Sequence, residues 1–513
     1  TRMYARNHRH EKGTDMSENP SEKDVTSNPF MGAAPARELD VPEPASARLT
    51  WSADGEKIDY AATAAHLDVV SDAGKLLGRM FSLSYVAVDE EGTADPARPV
   101  TFAFNGGPGS SSVPINFGGI GPRRVATDGC GHVRADAAVE DNPHTVLRDT
   151  DVVFLDALGT GWSCVADDCE PASVFGVDGD ADAFARAICA WLEENGRWSS
   201  PLYLFGESYG TVRNSVLMRI LGERGVAVTG VVLLSAILDW VQVQPGEDLY
   251  YLGMMPTYAA TAQWFGRAGK GVDPDEWFDR ALEFTEDVLA PALLKGDRLD
   301  ARREREVARK MSKFVGLAPE YLLAHHLRVD LADFRMALLA DKGKICGRLD
   351  TRFASDALSP MQTSVEWVAG EDAAADAVEP AWTKAFRAFC REELGYRGAA
   401  RYLSSNYEKV GTKWDWRHEE PGCSYKAEAP NVAVDIAVAL RRNPTCKLAI
   451  IGGRYDAATT FWNVVHDMSC QYLSPELKER VSWYRYGCGH MAYTDVPTLE
   501  AMGADLHDWY QRR

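Results

Sequence analysis

Between residues 202 and 225 an apolar run, LYLF, passes through Gly206-Glu207-Ser208-Tyr209-Gly210 into TVRNSVLMRILGERG, and this stretch constrains the fold more than any other. The first run suits a buried strand and the last a helix. Glycines two before and two after a serine leave room for a sharp strand-to-helix turn, which projects the serine Oγ where a base can reach it. G-x-S-x-G alone is frequent by chance. With a strand before it and a helix after it, Ser208 becomes a candidate nucleophile.

Further strand-like runs, bounded by turn residues, occur at 66–70, 80–88, 100–104, 151–155, 231–237, 447–451 and 481–486. Several are apolar on both faces, which suits parallel strands covered on both sides. In residues 180–194, Phe184, Ile188, Trp191 and Leu192 fall on one helical stripe, with Asn195 and Gly196 as a stop. Strands alternating with helices indicate an α/β fold with a largely parallel sheet. After residue 239 the alternation gives way to helical patterns. Asp273 and Pro274 read as N-cap and first residue of a helix carrying Phe278, Leu282, Thr285 and Leu289, and Trp382, Phe386, Phe389 and Cys390 share a second helical face before Gly395. The run at 298–310 reads as a solvated helix face, and 369–378 (AGEDAAADAV) as a surface loop. The expected organisation is a disordered leader (1–45), an α/β core (46–240 and 431–513) and a large helical insertion (241–430).

A serine hydroxyl is unreactive at neutral pH unless a base takes its proton, and the base needs an acid partner to fix its tautomer. Asp456 follows KLAII in GGRYDAATT, and His490 follows VSWYRY in GCGHMAY. Both lie just beyond the C-terminal ends of expected parallel strands, where sites of open α/β sheets assemble. His144, His325, His326 and His466 lack such a setting and read as structural or surface residues, and Cys488 as a small packing residue. A third loop, Asn105-Gly106-Gly107-Pro108-Gly109-Ser110-Ser111-Ser112, also follows a strand. No Lys follows in the manner of a phosphate-binding loop. Beside Ser208 it reads instead as half of an oxyanion hole, with the Tyr209 N–H as the other donor.

The formal charge of −20, from 55 Lys+Arg and 75 Asp+Glu, argues against nucleic acid or an anionic membrane surface as main partner. Ten dispersed cysteines without C-x-x-C exclude a disulfide-dense scaffold and are most simply core residues. No run reaches the length of a transmembrane span. The N-terminus shows no signal peptide, which leans toward a cytoplasmic location; Met16 suits a start, and secretion stays open if the N-terminus is incomplete.

NGGPGSSS, FLDALGTGWS (154–163), FGESYGT, RYDAATT and GCGHMAYTDVP, in this order, resemble the serine carboxypeptidase family of α/β-hydrolases over about residues 50–510. The match looks closest to its bacterial branch, from RPVTFAFNGGPGSSSVPINFGGIGPRRV and the text after RLD at 348–353. The resemblance implies an α/β-hydrolase fold: a mostly parallel central sheet, helices on both faces and a helical cap formed by the insertion. It implies an exopeptidase that releases the C-terminal amino acid of a peptide through an acyl-enzyme, with Ser208, His490 and Asp456 as triad. Gly107 and Tyr209 would be oxyanion donors, Asn105 and Glu207 would bind the substrate's terminal carboxylate, and no metal or cofactor is implied. Glu207 makes physical sense there only when protonated, since a carboxylate facing a carboxylate repels. Met491 is expected to line the pocket for the released residue and Tyr209 to wall its other side.

The sequence departs from the family at Ala103 and Gly119, where a Trp and a Glu are usual, and at Ser110, where a Cys is usual. These departures bear on carboxylate binding, pH optimum and one disulfide, and leave the triad untouched. An esterase or acyltransferase on the same triad is the alternative, and a catalytically silent binding protein the other. Glu207 separates the first two, because it has a role only when the substrate ends in a carboxylate.

Overall fold

The apolar runs assemble into one ten-stranded sheet. The computed structural model describes residues 41–127, 139–244, 246–357, 372–398 and 400–512. The strands are β1 (Ala45–Ala53), β2 (Glu56–Val70), β3 (Leu76–Ala87), β4 (Val100–Phe104), β5 (Asp151–Leu155), β6 (Cys164–Val165), β7 (Leu202–Glu207), β8 (Val228–Leu234), β9 (Lys447–Gly453) and β10 (Val481–Tyr486). They lie in the order β1-β2-β3-β5-β4-β7-β8-β9-β10, with β6 against β3. Pairings from β1 to β5 are antiparallel, and every pairing from β5 to β10 is parallel. The expected mostly parallel sheet is therefore present, carrying an antiparallel edge that starts earlier than the apolar runs suggest. The leader expectation falls on residues 1–40, outside the described residues, and β1 begins at Ala45.

Helices cover both faces. The longer helices are α1 (Val177–Glu194), α2 (Tyr209–Glu223), α3 (Asp248–Trp264), α4 (Pro274–Phe284), α5 (Ala301–Val315), α6 (Glu379–Ala388), α7 (Ala433–Arg442), α8 (Phe461–Ser469) and α9 (Val496–Gln511), of which α3, α4 and α5 pack with one another rather than on the sheet. Alternate strand residues serve opposite faces. Leu204, Leu233 and Ile450 pack with Ile188 of α1, Leu217 of α2 and Leu440 of α7. Phe205, Val232 and Ile451 belong to a second core with Trp382 of α6 and Trp509 of α9. Phe184, Ile188, Trp191 and Leu192 are all buried in the first core, as their spacing predicts.

Residues 235–446, between β8 and β9, divide their packing. Met255, Leu289, Val307 and Phe334 form a core of their own. Trp382 and Phe386 of α6 instead join the sheet's second face. Asp273 caps α4 by accepting the Asp275 and Glu276 N–H groups, with Pro274 in the first turn, as the sequence indicates. The charged run at 298–310 enters α5, whose other side buries Val307, Ala308 and Met311. Of the expected loop 369–378, residues 369–371 lie outside the described residues, while Ala373–Asp376 make a helical turn capped by Asp372. Alanine is the best helix former, and Ala374 is small enough to be buried there.

Among the described residues no helix is long and apolar enough to cross a membrane. Nine described cysteines are unbridged; Cys164, Cys169, Cys346, Cys390, Cys446 and Cys488 are buried.

Candidate active site

β7 ends at Glu207 and α2 starts at Tyr209, so the turn between them is one residue, Ser208. Ser208 takes φ 59° and ψ −128°, a left-handed conformation that costs a non-glycine residue energy and persists only where the surroundings impose it. They do so here. The Ser208 N–H bonds the Leu234 carbonyl at the end of β8, 3.0 Å. A Cβ on Gly206 would collide with the Gly210 carbonyl oxygen, and one on Gly106 would collide with the Tyr209 nitrogen. Only glycine permits both approaches. The second brings the loop after β4 against the first N–H of α2, which has no carbonyl acceptor within its own helix.

Asp456 and His490 stand beyond the neighbouring strand ends. His490 Nδ1 is 2.8 Å from Asp456 Oδ2, and both residues are buried. Asp456 Oδ1 accepts the Ala458 and Thr459 N–H groups at 2.8 and 2.9 Å, and Oδ2 accepts the Thr459 hydroxyl at 2.8 Å. The carboxylate is thus aimed by its own loop, leaving Oδ2 to orient the imidazole. Ser235, at φ 53° just after β8, donates its hydroxyl to the His490 carbonyl at 2.6 Å. The segment RLDTR at 348–352 docks on the same loops: the His490 N–H bonds the Leu349 carbonyl at 2.6 Å. Arg352 pairs with Asp350 at 2.6 Å and Asp495 at 2.9 Å. Burial disfavours a charged His490, yet the Asp456 carboxylate, its hydrogen bond and the charge of Glu207 outweigh it and leave the pKa above the ordinary histidine value.

Ser208, His490, Asn105, Gly107, Glu207 and Met491 line one cavity of about 540 Å³. Asn105 Nδ2 donates to Glu207 Oε2 at 2.9 Å while its Oδ1 accepts the Ile115 N–H at 2.9 Å, so both ends of the amide are fixed. Burial pushes the Glu207 carboxyl up to about 7, against the lowering effects of His490 and the hydrogen bonds from Tyr493 and Asn105. Beneath the loop, Arg213 of α2 is fully buried, paired with Asp180 at 2.6 Å and donating to the Asn105 carbonyl at 2.9 Å. The cavity is completed by the connection between β8 and β9, including Arg335, Arg348, Asp372, Asp376, Glu379 and Tyr407.

Residues 78–221 match the serine carboxypeptidase family model. The expected resemblance is borne out over this stretch, which runs from β3 through α2 and contains Asn105, Gly107, Glu207 and Ser208; Asp456 and His490 lie outside it. Serine carboxypeptidase-like 50 of Arabidopsis thaliana is 32% identical over 188 residues, 34% of this chain and 39% of that protein. The alignment thus spans well under half of that relative's length. Among solved structures, Kex1Δp, a prohormone-processing carboxypeptidase from Saccharomyces cerevisiae, is 12% identical with a TM-score of 0.49, over 93% of this chain and 94% of that one. A putative aryl esterase from Burkholderia cenocepacia is 14% identical with a TM-score of 0.34, over 86% and 97%. The family match and the plant relative speak to the family, not to a bacterial branch. The sheet order and the turn at Ser208 are those of an α/β-hydrolase fold.

One sequence expectation is corrected. Tyr209 does not wall the cavity: its ring is buried against Trp414 and Trp416, with centroids at 5.1 and 5.9 Å, because the first residue of α2 points its side chain into the sheet–helix layer. Only its N–H faces the loop after β4. Tyr493, whose hydroxyl donates to Glu207 Oε2 at 2.8 Å, and Asp372, Asp376 and Glu379 also belong to the site, though no local pattern in the sequence marks them for it. Tyr493 lies three residues from His490, and that nearness is its one signal in the sequence. Gly119, where the family resemblance expects an acid, faces this ring: a Cβ there would lie 3.0 Å from Tyr493 Cδ1.

Proposed function

We propose that the protein is a serine-type carboxypeptidase. The carrying observation is Glu207: a buried carboxyl with a raised pKa, held by Asn105, next to the candidate nucleophile in the same cavity. Such a group is a liability to an esterase. It becomes useful when the substrate ends in a carboxylate, to which a protonated Glu207 and the second N–H of the Asn105 amide donate hydrogen bonds.

In this reading Ser208 Oγ attacks the last peptide carbonyl while His490 takes its proton, and Asp456 stabilises the imidazolium. The oxyanion accepts from the N–H groups of Tyr209 and Gly107. Collapse of the intermediate breaks the C–N bond, with His490 returning the proton to the leaving amino acid. Water, deprotonated by His490, then releases the acyl group from Ser208. The connection between β8 and β9 acts as the cap, closing the cavity over one chain end, and Met491 lines the side of the released residue.

The test compares N-blocked dipeptides bearing a free C-terminal carboxylate with their C-terminal amides, alongside fluorophosphonate labelling of Ser208. The expected result is labelling and release of amino acid from the free acids only. Labelling with equal hydrolysis of both series, or of neither, would overturn the exopeptidase reading in favour of an esterase or acyltransferase. An unlabelled Ser208 would point to a binding protein.

A further inference from the structure

We infer that Tyr493 is a positioning residue that turns the acidic proton of Glu207 toward the substrate: its hydroxyl and the Asn105 amide occupy one carboxyl oxygen as donors, leaving the proton to the other. This deepens the carboxypeptidase reading and rests on it.

Both donors converge on Oε2, from Asn105 at 2.9 Å and from Tyr493 at 2.8 Å. The Asn105 amide is not free to reverse, because its Oδ1 holds the Ile115 N–H. A carboxyl proton placed on Oε2 would meet the Asn105 N–H head on and would require the phenol to turn from donor to acceptor, so the acid form carries it on Oε1 while both donors hold Oε2. The phenol is itself fixed. Tyr493 is fully buried, and its ring lies where a Cβ on Gly118 would approach Cε2 to 2.9 Å and one on Gly119 would approach Cδ1 to 3.0 Å. The glycine pair thus makes the slot that lets a tyrosine reach Glu207.

His490 and Asp456 act on the charge of Glu207 from the ends of β10 and β9, the first favouring the ionised form and the second opposing it. Across the cavity stand Arg335, Arg348, Asp372, Asp376 and Glu379. None of these replaces the phenol, because a hydrogen bond from a neutral donor favours the carboxylate without adding charge.

The experiment measures kcat and KM of wild type and Tyr493→Phe from pH 5 to 9 on an N-blocked dipeptide and on a simple ester without a carboxylate. The Phe variant keeps the ring in its slot, and ester turnover reports folding. Expected are a peptide KM raised about tenfold, the loss of one hydrogen bond to a charged or acidic group, an ester kcat/KM within about twofold, and an alkaline limb for the peptide moved to higher pH. The limb moves up because loss of the donor leaves Glu207 protonated further. Gly119→Ala, which presses on the ring, should move the same readouts less. Peptide and ester activities falling together, with an unmoved limb, would overturn the inference. If wild type showed no carboxypeptidase activity, the functional reading would fail separately. The inference would then be decided by the infrared titration of Glu207, assigned by difference against Glu207→Gln: a higher midpoint in Tyr493→Phe supports it, and an equal midpoint overturns it.

Discussion

Replacing Glu207 by Gln keeps the shape of the group and removes its titration. In the wild type the carboxyl is pushed up to about 7. The protonated fraction therefore falls from about nine-tenths at pH 6 to about one-tenth at pH 8, and kcat/KM on a peptide with a free carboxylate, taken relative to that on the ester so that the shared titration of His490 cancels, should fall about tenfold over that interval, equivalent to ~1.4 kcal/mol. The side-chain amide of the Glu207→Gln variant would accept from Asn105 and Tyr493 through its carbonyl and present its N–H₂ where the acid proton stood. At pH 5 the variant should thus lie within about fivefold of wild type, since one neutral donor replaces another. Above pH 7 its peptide activity should run parallel to its ester activity and overtake the wild type. The stability readout has a definite sign too. A carboxyl whose folded-state pKa exceeds its unfolded value of 4.5 contributes stability that is whole below 4.5 and lost as pH rises through about 7. Glu207→Gln, free of that loss, should be more stable than wild type at pH 8, by up to about 3 kcal/mol. The assay is steady-state hydrolysis from pH 5 to 9 with an ester control, and thermal unfolding at pH 5 and 8. An alkaline limb retained in the variant, or shared by the ester in wild type, would refute the assignment of the limb to Glu207.

Asp456→Asn should lower kcat on peptide and ester alike by roughly 10³–10⁴, because the Asn amide favours the wrong imidazole tautomer; unequal losses on the two substrates would count against a shared triad. His418, fully buried, bonds Asp178 through Nδ1 at 2.5 Å and Asp435 through Nε2 at 2.8 Å. Burial opposes its charge, but the two carboxylates prevail and push its pKa up to about 9. Its stabilisation is whole below 6.5 and lost as pH rises through about 9, a difference of at most about 3 kcal/mol. His418→Ala should lose this slope in melting curves taken from pH 6 to 10, and parallel curves would refute it.

The parts of the fold legible in the sequence are those whose residues serve a single purpose. β4, β5, β7, β8 and β9 bury both faces, so they read as unbroken apolar runs. β1 escapes a hydrophobicity reading because exposed Ser, Arg and Thr alternate with positions that, Trp51 apart, are only half-buried. Its signal lay instead in Asp54-Gly55, both at positive φ in the hairpin to β2. At the site, Ser208, Asp456 and His490 were legible because a strand end precedes each. Glu379 and Asp372 were not, since their place in the cavity depends on how Trp382 and Phe386 dock on the sheet, a long-range matter that local composition does not encode. Tyr209 misled for a related reason: its backbone and its side chain serve different neighbours.

The connection of residues 235–446 also sets an order of events in the life of the chain. β4, β5, β7 and β8 come from the first half, whereas β9 and β10, with the loops that hold Asp456 and His490, are made last. Pairing β9 with β8 closes this long loop at an entropic cost of about 5 kcal/mol, which would be only about 0.6 kcal/mol smaller for half the length. That insensitivity leaves the connection wide latitude in size and shape without moving the strand ends that it joins. Ser208 is therefore synthesised long before Asp456 and His490, so under the proposed mechanism the serine has no base until the final strands dock.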